Sequence, residues 1–308
     1  MQYIVETSDL RKRYGSVEAV RGLALGVPEH SICAFLGQNG AGKSTTLRML
    51  FGMVHPTSGS GRVFGLRIDN ERDSVRIRER AAFVAEDKRL YDYMTVAQIL
   101  DFTRSFFPKW RHDLEKGLVR RFELPLNRRI RKLSKGMRTK LALLLAVARG
   151  SELLILDEPT EGLDPVAIEE VLALIVSLAA DGTTVLFSSH QIAEVEQIAD
   201  HVLMIDRGEL LLDSSMDHVK ETYRHVHLVF PEHVNKDALV LTGVENVRSE
   251  GRTVSLIASG NVEAITKRAR LLHAISIEVE PVSMKEIFLA SVKARSAEDE
   301  QVSEAVGA

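Results

Sequence analysis

The sequence predicts a mixed α/β fold built around a mainly parallel sheet, with antiparallel N-terminal strands, an inserted helical subdomain and a small C-terminal α+β domain. Three observations support this prediction. Short apolar strands alternate with helical patterns, which is typical of a parallel sheet covered on both faces. A helical stretch interrupts that alternation. After it ends, the elements follow a β-α-β-β-α-β order, which is a ferredoxin-like arrangement.

The composition indicates an ordinary globular protein. The 308 residues are enough for two domains, and the hydrophobic fraction of 45% is enough for a full core. The formal net charge of −3 gives no overall attraction to nucleic acid, which is therefore not expected as a partner. The single cysteine, Cys33, rules out an internal disulfide and lies in an apolar strand, where a small buried residue is expected. These features are typical of a cytosolic protein.

The sequence shows no segment that is expected to enter or cross a membrane. The start of the sequence, Met1 to Glu6, lacks the features of a signal peptide. The longest wholly apolar run, Leu141 to Ala148, is far too short to cross a bilayer. If the protein serves a membrane process, we expect another chain to supply the membrane part.

The predicted elements divide the chain into three regions. Residues 1–222 contain the alternating strands and helices, with the helical subdomain at about 87–150. Residues 223–293 form the accessory α+β domain, and residues 294–308, small, polar and acidic, are expected to be disordered. Strands are predicted at 2–8, 17–26, 31–36, 62–68, 81–85, 153–157, 183–188, 201–206, 225–230, 243–249, 252–258 and 274–280. Helices are predicted at 46–53, 95–106, 111–122, 133–148, 165–180, 191–198, 235–240, 261–272 and 283–293.

A glycine-rich stretch follows the apolar segment Ser31 to Leu36 and fits the pattern G-x-x-x-x-G-K-[S/T]. A turn without a ligand is the alternative, but the strand before it and the helix after it favour a phosphate-binding loop. Lys43 would then reach the β- and γ-phosphates of a nucleotide, and Ser44 would bind Mg²⁺. The predicted nucleotide-binding residues of this loop are Gly37, Gln38, Asn39, Gly40, Ala41, Gly42, Lys43, Ser44 and Thr45.

Two acids, Asp157 and Glu158, end the apolar strand 153–157. In a phosphate-loop enzyme the first acid would hold Mg²⁺ through water, and the second would polarise the attacking water as a general base. An acidic pair at a strand end is also compatible with a helix cap. The phosphate loop earlier in the chain and the Pro159-Thr160 that follows favour the catalytic interpretation.

The chain resembles the ATP-binding subunits of the ATP-binding cassette (ABC) transporters from residue 3 to about 220. Leu133 to Met137 reads Leu-Ser-Lys-Gly-Met and resembles the family signature Leu-Ser-Gly-Gly-Gln. Glu161 to Asp164 resembles the loop whose Asp crosses the dimer interface. His190 and Tyr14 resemble the switch histidine and the adenine-stacking aromatic, and Glu86 stands where the family usually has a glutamine. The resemblance is specific because the motifs occur in the family's order.

This resemblance implies a P-loop NTPase fold and ATP hydrolysis with Mg²⁺ as a cofactor. It implies two chains, as a homodimer or a heterodimer, that bind two ATP molecules head to tail and power a separate membrane permease. The protein would then be a peripheral subunit on the cytoplasmic face of the membrane. Its single cassette and C-terminal domain resemble those of exporters, with an importer as the alternative. The implied roles are catalysis by Glu158 and His190, metal binding by Ser44, Glu86 and Asp157, ATP binding by Tyr14 and Glu86, and contact with the ATP of the opposite subunit by Ser134, Lys135, Gly136 and Asp164.

Two departures from the family pattern affect these expectations. Lys135 and Met137 replace Gly and Gln in the signature, but Ser134 and Gly136 are kept, so function is expected to survive with an added positive charge. Glu86, when ionised, accepts hydrogen bonds without donating any, whereas a glutamine does both. It can still bind Mg²⁺ or orient water.

A soluble ABC-type ATPase that acts on ribosomes or DNA is the alternative function. The ribosomal type usually has two cassettes in one chain, and the repair type has a long coiled coil between its motifs. This sequence has neither feature, which favours the transporter subunit.

The segment 120–140 is strongly basic and contains a single acid, Glu123. It is either a solvated helical face or a surface that faces lipid headgroups or the membrane partner. Its basic residues are Arg120, Arg121, Arg128, Arg129, Arg131, Lys132, Lys135, Arg138 and Lys140.

Overall fold

The computed structural model of the protein describes residues 2–292, except for the side chains of residues 236, 237 and 245. The chain divides into two compact units, residues 1–213 and 214–308. The domain boundary expected from the sequence, at 222/223, falls one helix later and stays a prediction. The tail expected to be disordered, residues 294–308, lies outside the described residues.

The first unit contains strands of two sheets and the helices that cover them. The strands are β1 (Tyr3–Tyr14), β2 (Val17–Leu23), β3 (Gly26–Pro28), β4 (Ile32–Leu36), β5 (Ser58–Val63), β6 (Leu66–Arg67), β7 (Ala81–Val84), β8 (Leu153–Leu156), β9 (Thr184–Ser189), β10 (His201–Asp206) and β11 (Glu209–Ser215). The helices are α1 (Lys43–Leu50), α2 (Glu71–Arg80), α3 (Val96–Arg104), α4 (His112–Arg121), α5 (Lys135–Val147), α6 (Pro165–Ala180) and α7 (Ile192–Ile198), with a 3-10 turn at Ile130–Lys132.

The central sheet has the strand order β11-β10-β4-β9-β8-β7, and the pairs from β10 to β7 are parallel. Every residue of β4, β8 and β9 is buried. Strands with continuous apolar runs can be accommodated only where both faces of the sheet are covered, which helices do here. The predicted α/β fold with a mainly parallel sheet is therefore confirmed.

The N-terminal strands form a second sheet of order β2-β1-β5-β6, in which β3 also pairs with β1. All of these pairs are antiparallel, as the sequence indicates. The two sheets share one apolar core with α1. This core includes the fully or almost fully buried residues Val5, Leu10, Val20, Phe35, Leu47, Leu50, Val63 and Leu203.

Helices α3 to α5 lie between β7 and β8 in the chain and correspond to the predicted helical stretch. The Thr95 side chain accepts from the Gln98 N–H, and Gln98 reaches back to the Thr95 N–H, which starts α3 with a capping box. Helix α5 is apolar on most of its surface and is buried from Leu141 to Val147. Between residues 2 and 292, no helix is both long enough and apolar enough to cross a membrane.

Three elements were not expected from the sequence. Helix α2 occupies a charged segment, and only two of its residues, Ser74 and Ile77, are buried. Its apolar face is too narrow to give a periodic signal, and it begins because the Asn70 side chain accepts from the N–H of Asp73. Strand β11 and the helix after it were also missed. Strand β5 begins at Ser58, inside a stretch whose Gly, Ser and Pro residues indicate a turn.

The second unit has its own sheet and core. It contains the helices α8 (Met216–Thr222), α9 (Val262–Leu271) and α10 (284–292), a 3-10 turn (Lys236–Leu239), and the strands β12 (Tyr223–Val229), β13 (Val244–Glu250), β14 (Thr253–Ser259) and β15 (Ser276–Pro281). The strand order is β13-β14-β12-β15, and every pair is antiparallel. Val226, Leu228, Leu256 and Ile265 are buried together in its core.

Deleting residues 224–308 should leave a folded chain that still binds ATP, because all nucleotide motifs precede residue 191 and the first unit has its own core. Circular dichroism and binding of a fluorescent ATP analogue would measure the two properties, with the full chain as the control. A truncated chain that is soluble but does not bind nucleotide would contradict this division of the protein.

Candidate functional site

The glycine-rich loop joins β4 to α1 at the carboxyl edge of the parallel sheet. Gly40 and Gly42 have φ angles of 84° and 106°, in the left-handed region that favours glycine. A Cβ at Gly42 would lie 2.5 Å from the carbonyl oxygen of Ala19, so no side chain fits at that position. Among the described residues no side chain caps α1, which leaves its first N–H groups directed at the loop.

Lys43 is a nearly buried cation at the start of α1, with 6% of its surface exposed. Its Nζ donates to the carbonyl oxygens of Gly37 at 2.7 Å and Gln38 at 3.2 Å. It also lies 3.1 Å from Oε1 of Glu158. The phosphate loop and the acidic strand end therefore face each other across one cation.

Asp157 is fully buried beneath the loop. Its Oδ1 accepts hydrogen bonds from the hydroxyls of Ser44 at 3.0 Å and Ser188 at 2.8 Å. Its Oδ2 is buried and has no hydrogen-bond partner among the residues that the structure describes. This unpartnered carboxylate oxygen lies next to a serine hydroxyl. Together they offer the hard oxygen ligands that Mg²⁺ prefers.

Glu158 is held on three sides. Its φ angle of 45° is unusual for a residue other than glycine, and its N–H donates to Oγ of Ser188 at 2.9 Å. Oε2 lies 3.0 Å from Nδ1 of His190, whose Nε2 lies 3.7 Å from Oε2 of Glu161. Ligand atoms of these two acids and the histidine lie within 4.8 Å of one another. A carboxylate held between a lysine and an imidazole is oriented to accept a proton from a group bound beside it.

The end of β9 is fixed by a buried acid that the sequence analysis missed, Glu194. Its Oε2 accepts from the hydroxyls of Thr160 and Ser189, both at 2.9 Å. Burial raises the pKa of Glu194, while these two hydrogen bonds oppose the rise. The carbonyl oxygen of Ser189 in turn accepts from the N–H of Gly37 at 3.3 Å, so this network supports the phosphate loop. The sequence signal that could have identified Glu194 is an acidic residue four positions after His190.

A cavity of about 380 Å³ opens at this point. Most of the predicted nucleotide-binding and catalytic residues line it, together with Ala19 and Glu161, which were not predicted as site residues. The lining residues are Ala19, Gln38, Asn39, Gly40, Gly42, Lys43, Ser44, Thr45, Glu86, Glu158, Glu161 and His190.

Tyr14, the predicted adenine-stacking residue, ends β1 and is 49% exposed. Nζ of Lys12 lies 5.0 Å from the centre of its ring. Tyr14 does not line the cavity, whereas Ala19 of the next strand does. The stacking role of Tyr14 stays a prediction.

The residues predicted to contact the ATP of an opposite subunit lie outside the cavity. Ser134 caps α5 by accepting from the N–H of Met137 at 3.2 Å, and Asp164 caps α6 by accepting from the N–H of Ala167 at 3.0 Å. Lys135 is exposed. A Cβ built at Gly136 would meet no atom closer than 3.8 Å, so this backbone is open to a close approach.

The basic segment 120–140 contains both paired and exposed residues. Arg138 lies 2.8 Å from Asp92, and Lys140 pairs with Glu170. A shallow surface cavity of about 640 Å³ is surrounded by Pro125, Leu126, Asn127, Arg128, Arg129, Arg131 and Lys132. The helical subdomain therefore presents a cationic surface.

Comparison with known proteins gives consistent results. The protein-family profile described as ABC transporter matches residues 20–161. The bacitracin transport ATP-binding protein BcrA of Bacillus licheniformis is 37% identical over 228 residues, which are 73% of this chain and 74% of that protein.

Solved structures show the same fold. CbiO1 from Clostridium perfringens, described as part of the ABC transporter complex CbiONQ, is 26% identical with a TM-score of 0.60 over 70% of this chain and 89% of that one. The dimeric ATP-binding cassette MJ0796 bound to ADP and phosphate is 21% identical with a TM-score of 0.63 over 69% of this chain and 98% of that one.

Gly42→Ala should weaken nucleotide binding by at least about tenfold, because the new Cβ collides with backbone in addition to straining a left-handed residue. Gly65→Ala is the matched control, since Gly65 has φ of 74° but an open surrounding. The dissociation constant for a fluorescent ATP analogue measures the effect. Equal affinities in the two variants would show that the Ala19 contact does not shape the loop.

Proposed function

This chain belongs to the ATP-binding proteins of ABC transporters, and we propose that it drives export by closing as a dimer around ATP. It is an ATPase and the ATP-binding subunit of a transport system. The observation that supports the mechanism best is the convergence of Lys43, Glu158 and His190 on one cavity beside the phosphate loop, with Asp157 buried next to them and bonded to Ser44.

The loop N–H groups and Lys43 bind the phosphates of ATP. A γ-phosphate in the cavity competes with Glu158 for the Lys43 ammonium, since the two groups lie only 3.1 Å apart. Loss of this ion pair frees the carboxylate to accept a proton. Lys43 thereby makes the base available only when the phosphate is in position.

Ser44, Asp157 and Glu86 would hold Mg²⁺. The buried Oδ2 of Asp157 and the Ser44 hydroxyl provide oxygen atoms of the kind that this ion prefers. When bound, the ion would neutralise charge on the β- and γ-phosphate oxygens.

Glu158 takes a proton from the attacking water as general base. His190 lies 3.0 Å from its carboxylate, which supports a role for the imidazole in orienting the base and contacting the γ-phosphate. Glu158 is only 6% exposed. A carboxylate shielded from bulk solvent can accept a proton from one bound water with little competition from other water molecules.

A second copy of this chain, or a related chain, completes each site in the proposed dimer. Ser134, Lys135, Gly136 and Asp164 lie outside the cavity of their own chain, at the starts of α5 and α6. The N-terminus of α5 and the Ser134 hydroxyl suit the γ-phosphate of ATP held by the opposite chain. The dimeric form of the similar fold MJ0796 supports this assembly.

A separate permease would bind in a groove beside the helical subdomain. The groove has a volume of about 300 Å³. Three exposed aromatic residues are sequence neighbours of lining residues, and the ring of Phe102 lies 5.7 Å from that of Tyr91 and 5.1 Å from that of Phe106. The groove is lined by Met53, Phe83, Val84, Ala85, Asp87, Lys88, Arg89, Leu90, Thr103, Phe107, Ala142, Leu145, Ala146 and Arg149.

Docking of a permease there would place the protein on the cytoplasmic face of the membrane. That CbiO1 belongs to a multi-subunit transporter complex supports a separate permease. The similarity to the bacitracin transport ATP-binding protein BcrA supports a transport role, and the proposed direction, export, rests on the resemblance noted in the sequence.

Glu158→Gln should slow ATP hydrolysis at least about tenfold and leave ATP affinity intact, because general-base catalysis contributes about 10²–10⁴-fold. ATP should then trap a stable dimer, which light scattering would detect. Glu161→Gln is the comparison, since Glu161 lies 3.7 Å from His190 and has no assigned role as base. Hydrolysis by the Glu158 variant at the wild-type rate would exclude Glu158 as the base.

A mixed dimer of Lys43→Ala and Ser134→Arg chains tests the shared site. The first change removes the main cation of a chain's own phosphate loop, and the second blocks the γ-phosphate position in the opposite site. Each homodimer has two damaged sites, whereas the mixed dimer keeps one intact site and one with both lesions. The mixed dimer should occlude about one ATP, because a two-fold interface forms two sites and only one of them is intact.

The two homodimers are the controls for this occlusion measurement. Trapped radiolabelled ATP should be close to background in both of them. If trapping depends only on Lys43 and ignores Ser134 of the opposite chain, each site is self-contained and the composite site is wrong.

A further inference from the structure

Lys88 is an unusual residue outside the motifs that identify the family. It follows β7 in a tight turn, in which its N–H donates to the carbonyl oxygen of Ala85 at 3.2 Å. Its φ angle of 37° lies in the left-handed region, and the residue is only 7% exposed. Lysine is rarely buried to this extent, because removing its ammonium from water is costly.

The ammonium of Lys88 is bound to the backbone of Glu158. Nζ donates to the Glu158 carbonyl oxygen at 3.0 Å, across 70 residues of sequence. Within the part of the chain that the structure describes, Lys88 forms no ion pair, although the charges of Glu86, Asp157 and Glu158 act on it favourably. Burial, and secondarily the charge of Lys135, lower the pKa of Lys88. A backbone carbonyl is therefore its direct partner.

This hydrogen bond completes the restraint on the Glu158 residue. Ser188 holds its N–H at 2.9 Å, and Lys88 holds its carbonyl oxygen. Glu158 has φ of 45°, a conformation that costs energy and persists only where surrounding contacts impose it. The direction of the Glu158 side chain towards His190 depends on that backbone conformation.

The same hydrogen bond joins two cavities. Lys88 lines the groove, and Glu158 lines the nucleotide cavity. A segment that enters the groove and displaces Lys88 therefore acts on the peptide of the residue assigned as base.

We propose that Lys88 is a positioning residue for ATP hydrolysis, through which occupancy of the groove controls the orientation of Glu158. The inference rests on the role proposed above for Glu158. Lys88 does not line the nucleotide cavity, so it is not expected to contact the phosphates. Its loss should therefore lower kcat and leave the affinity for ATP almost unchanged.

The first experiment compares Lys88→Met and Lys88→Arg in the full chain. The methionine variant keeps the length of the side chain without the ammonium, and kcat should fall between about tenfold and about a hundredfold, as for a slightly misplaced catalytic group. The arginine variant keeps a cationic donor and should recover part of that loss. Lys116→Met, a change at an exposed lysine of α4, is the control and should keep wild-type kcat.

The affinity for a fluorescent ATP analogue and the thermal midpoint are measured in parallel. Unchanged affinity with reduced kcat supports positioning. A proportional loss of kcat and of ATP affinity, with no recovery in the arginine variant, would show that Lys88 serves only folding. If Glu158→Gln is inactive and Lys88→Met is fully active, the inference about Lys88 is wrong and the function proposed for Glu158 stands. If Glu158→Gln is fully active, the function proposed for Glu158 is itself wrong.

The second experiment occupies the groove without a permease. Met53 lines the groove and is 57% exposed, and the single native cysteine, Cys33, is buried. A bulky maleimide on Met53→Cys should therefore label one position. The label should change kcat by at least about threefold when Lys88 is present and have little effect in the Lys88→Met background, which is the signature of coupled sites. The same label on Lys116→Cys is the control.

Equal effects of the groove label in the two backgrounds would overturn the coupling through Lys88. An absence of any effect of the label with Lys88 present would overturn it as well.

Discussion

The site depends on the register of three buried parallel strands, β4, β9 and β8. Leu36 of β4 lies opposite Ser189 of β9, and Leu156 of β8 lies opposite Phe187 of β9. Strands β4 and β9 therefore end level, while β8 ends two residues earlier, so Asp157 and Glu158 extend to the same edge of the sheet as the end of β9. A slip of one residue would turn each side chain to the other face. Since the strands are buried throughout, the apolar packing that fixes their register also fixes the distances in the site.

The same packing allows charges to be buried. Lys43, Asp157 and Glu158 are each at most 6% exposed, and isolated charges in such places are strongly disfavoured. Here each charge has partners: loop carbonyl oxygens and Glu158 for Lys43, two serine hydroxyls for Asp157, and His190 for Glu158. Groups held in this way do not have to reorganise when a charged phosphate arrives, which is the condition for electrostatic stabilisation of a reaction.

The confirmed predictions, the fold class and the family, rest on chemistry that is local in the sequence. The fold class and the family could be predicted because the strand, loop and helix around Lys43 are adjacent in sequence, and the acids of β8 directly follow an apolar run. Contacts that depend on register could not be predicted. Ser188 reaches Asp157 across 31 residues and Lys88 reaches Glu158 across 70, and no periodicity encodes such pairs. Helix α2 was missed for a different reason, because its single large buried apolar residue, Ile77, produces no helical pattern.

In the proposed dimer, the loop from Glu158 to Asp164 connects a residue at the chain's own nucleotide cavity to a residue expected to contact the opposite chain. Its first residue faces the cavity of its own chain, and its last caps α6 outside that cavity. Gly162, between them, has φ of 67°, and a Cβ there would collide with the side chain of Lys135. Lys135, the unusual residue of the signature-like segment, therefore packs directly on the loop that begins with Glu158. A shift of α5 on dimer closure would therefore reach Glu158 through Lys135 from one side, while Lys88 restrains the same residue from the groove. In the proposed assembly, Glu158 would therefore lie where contacts from the opposite subunit and from the permease converge.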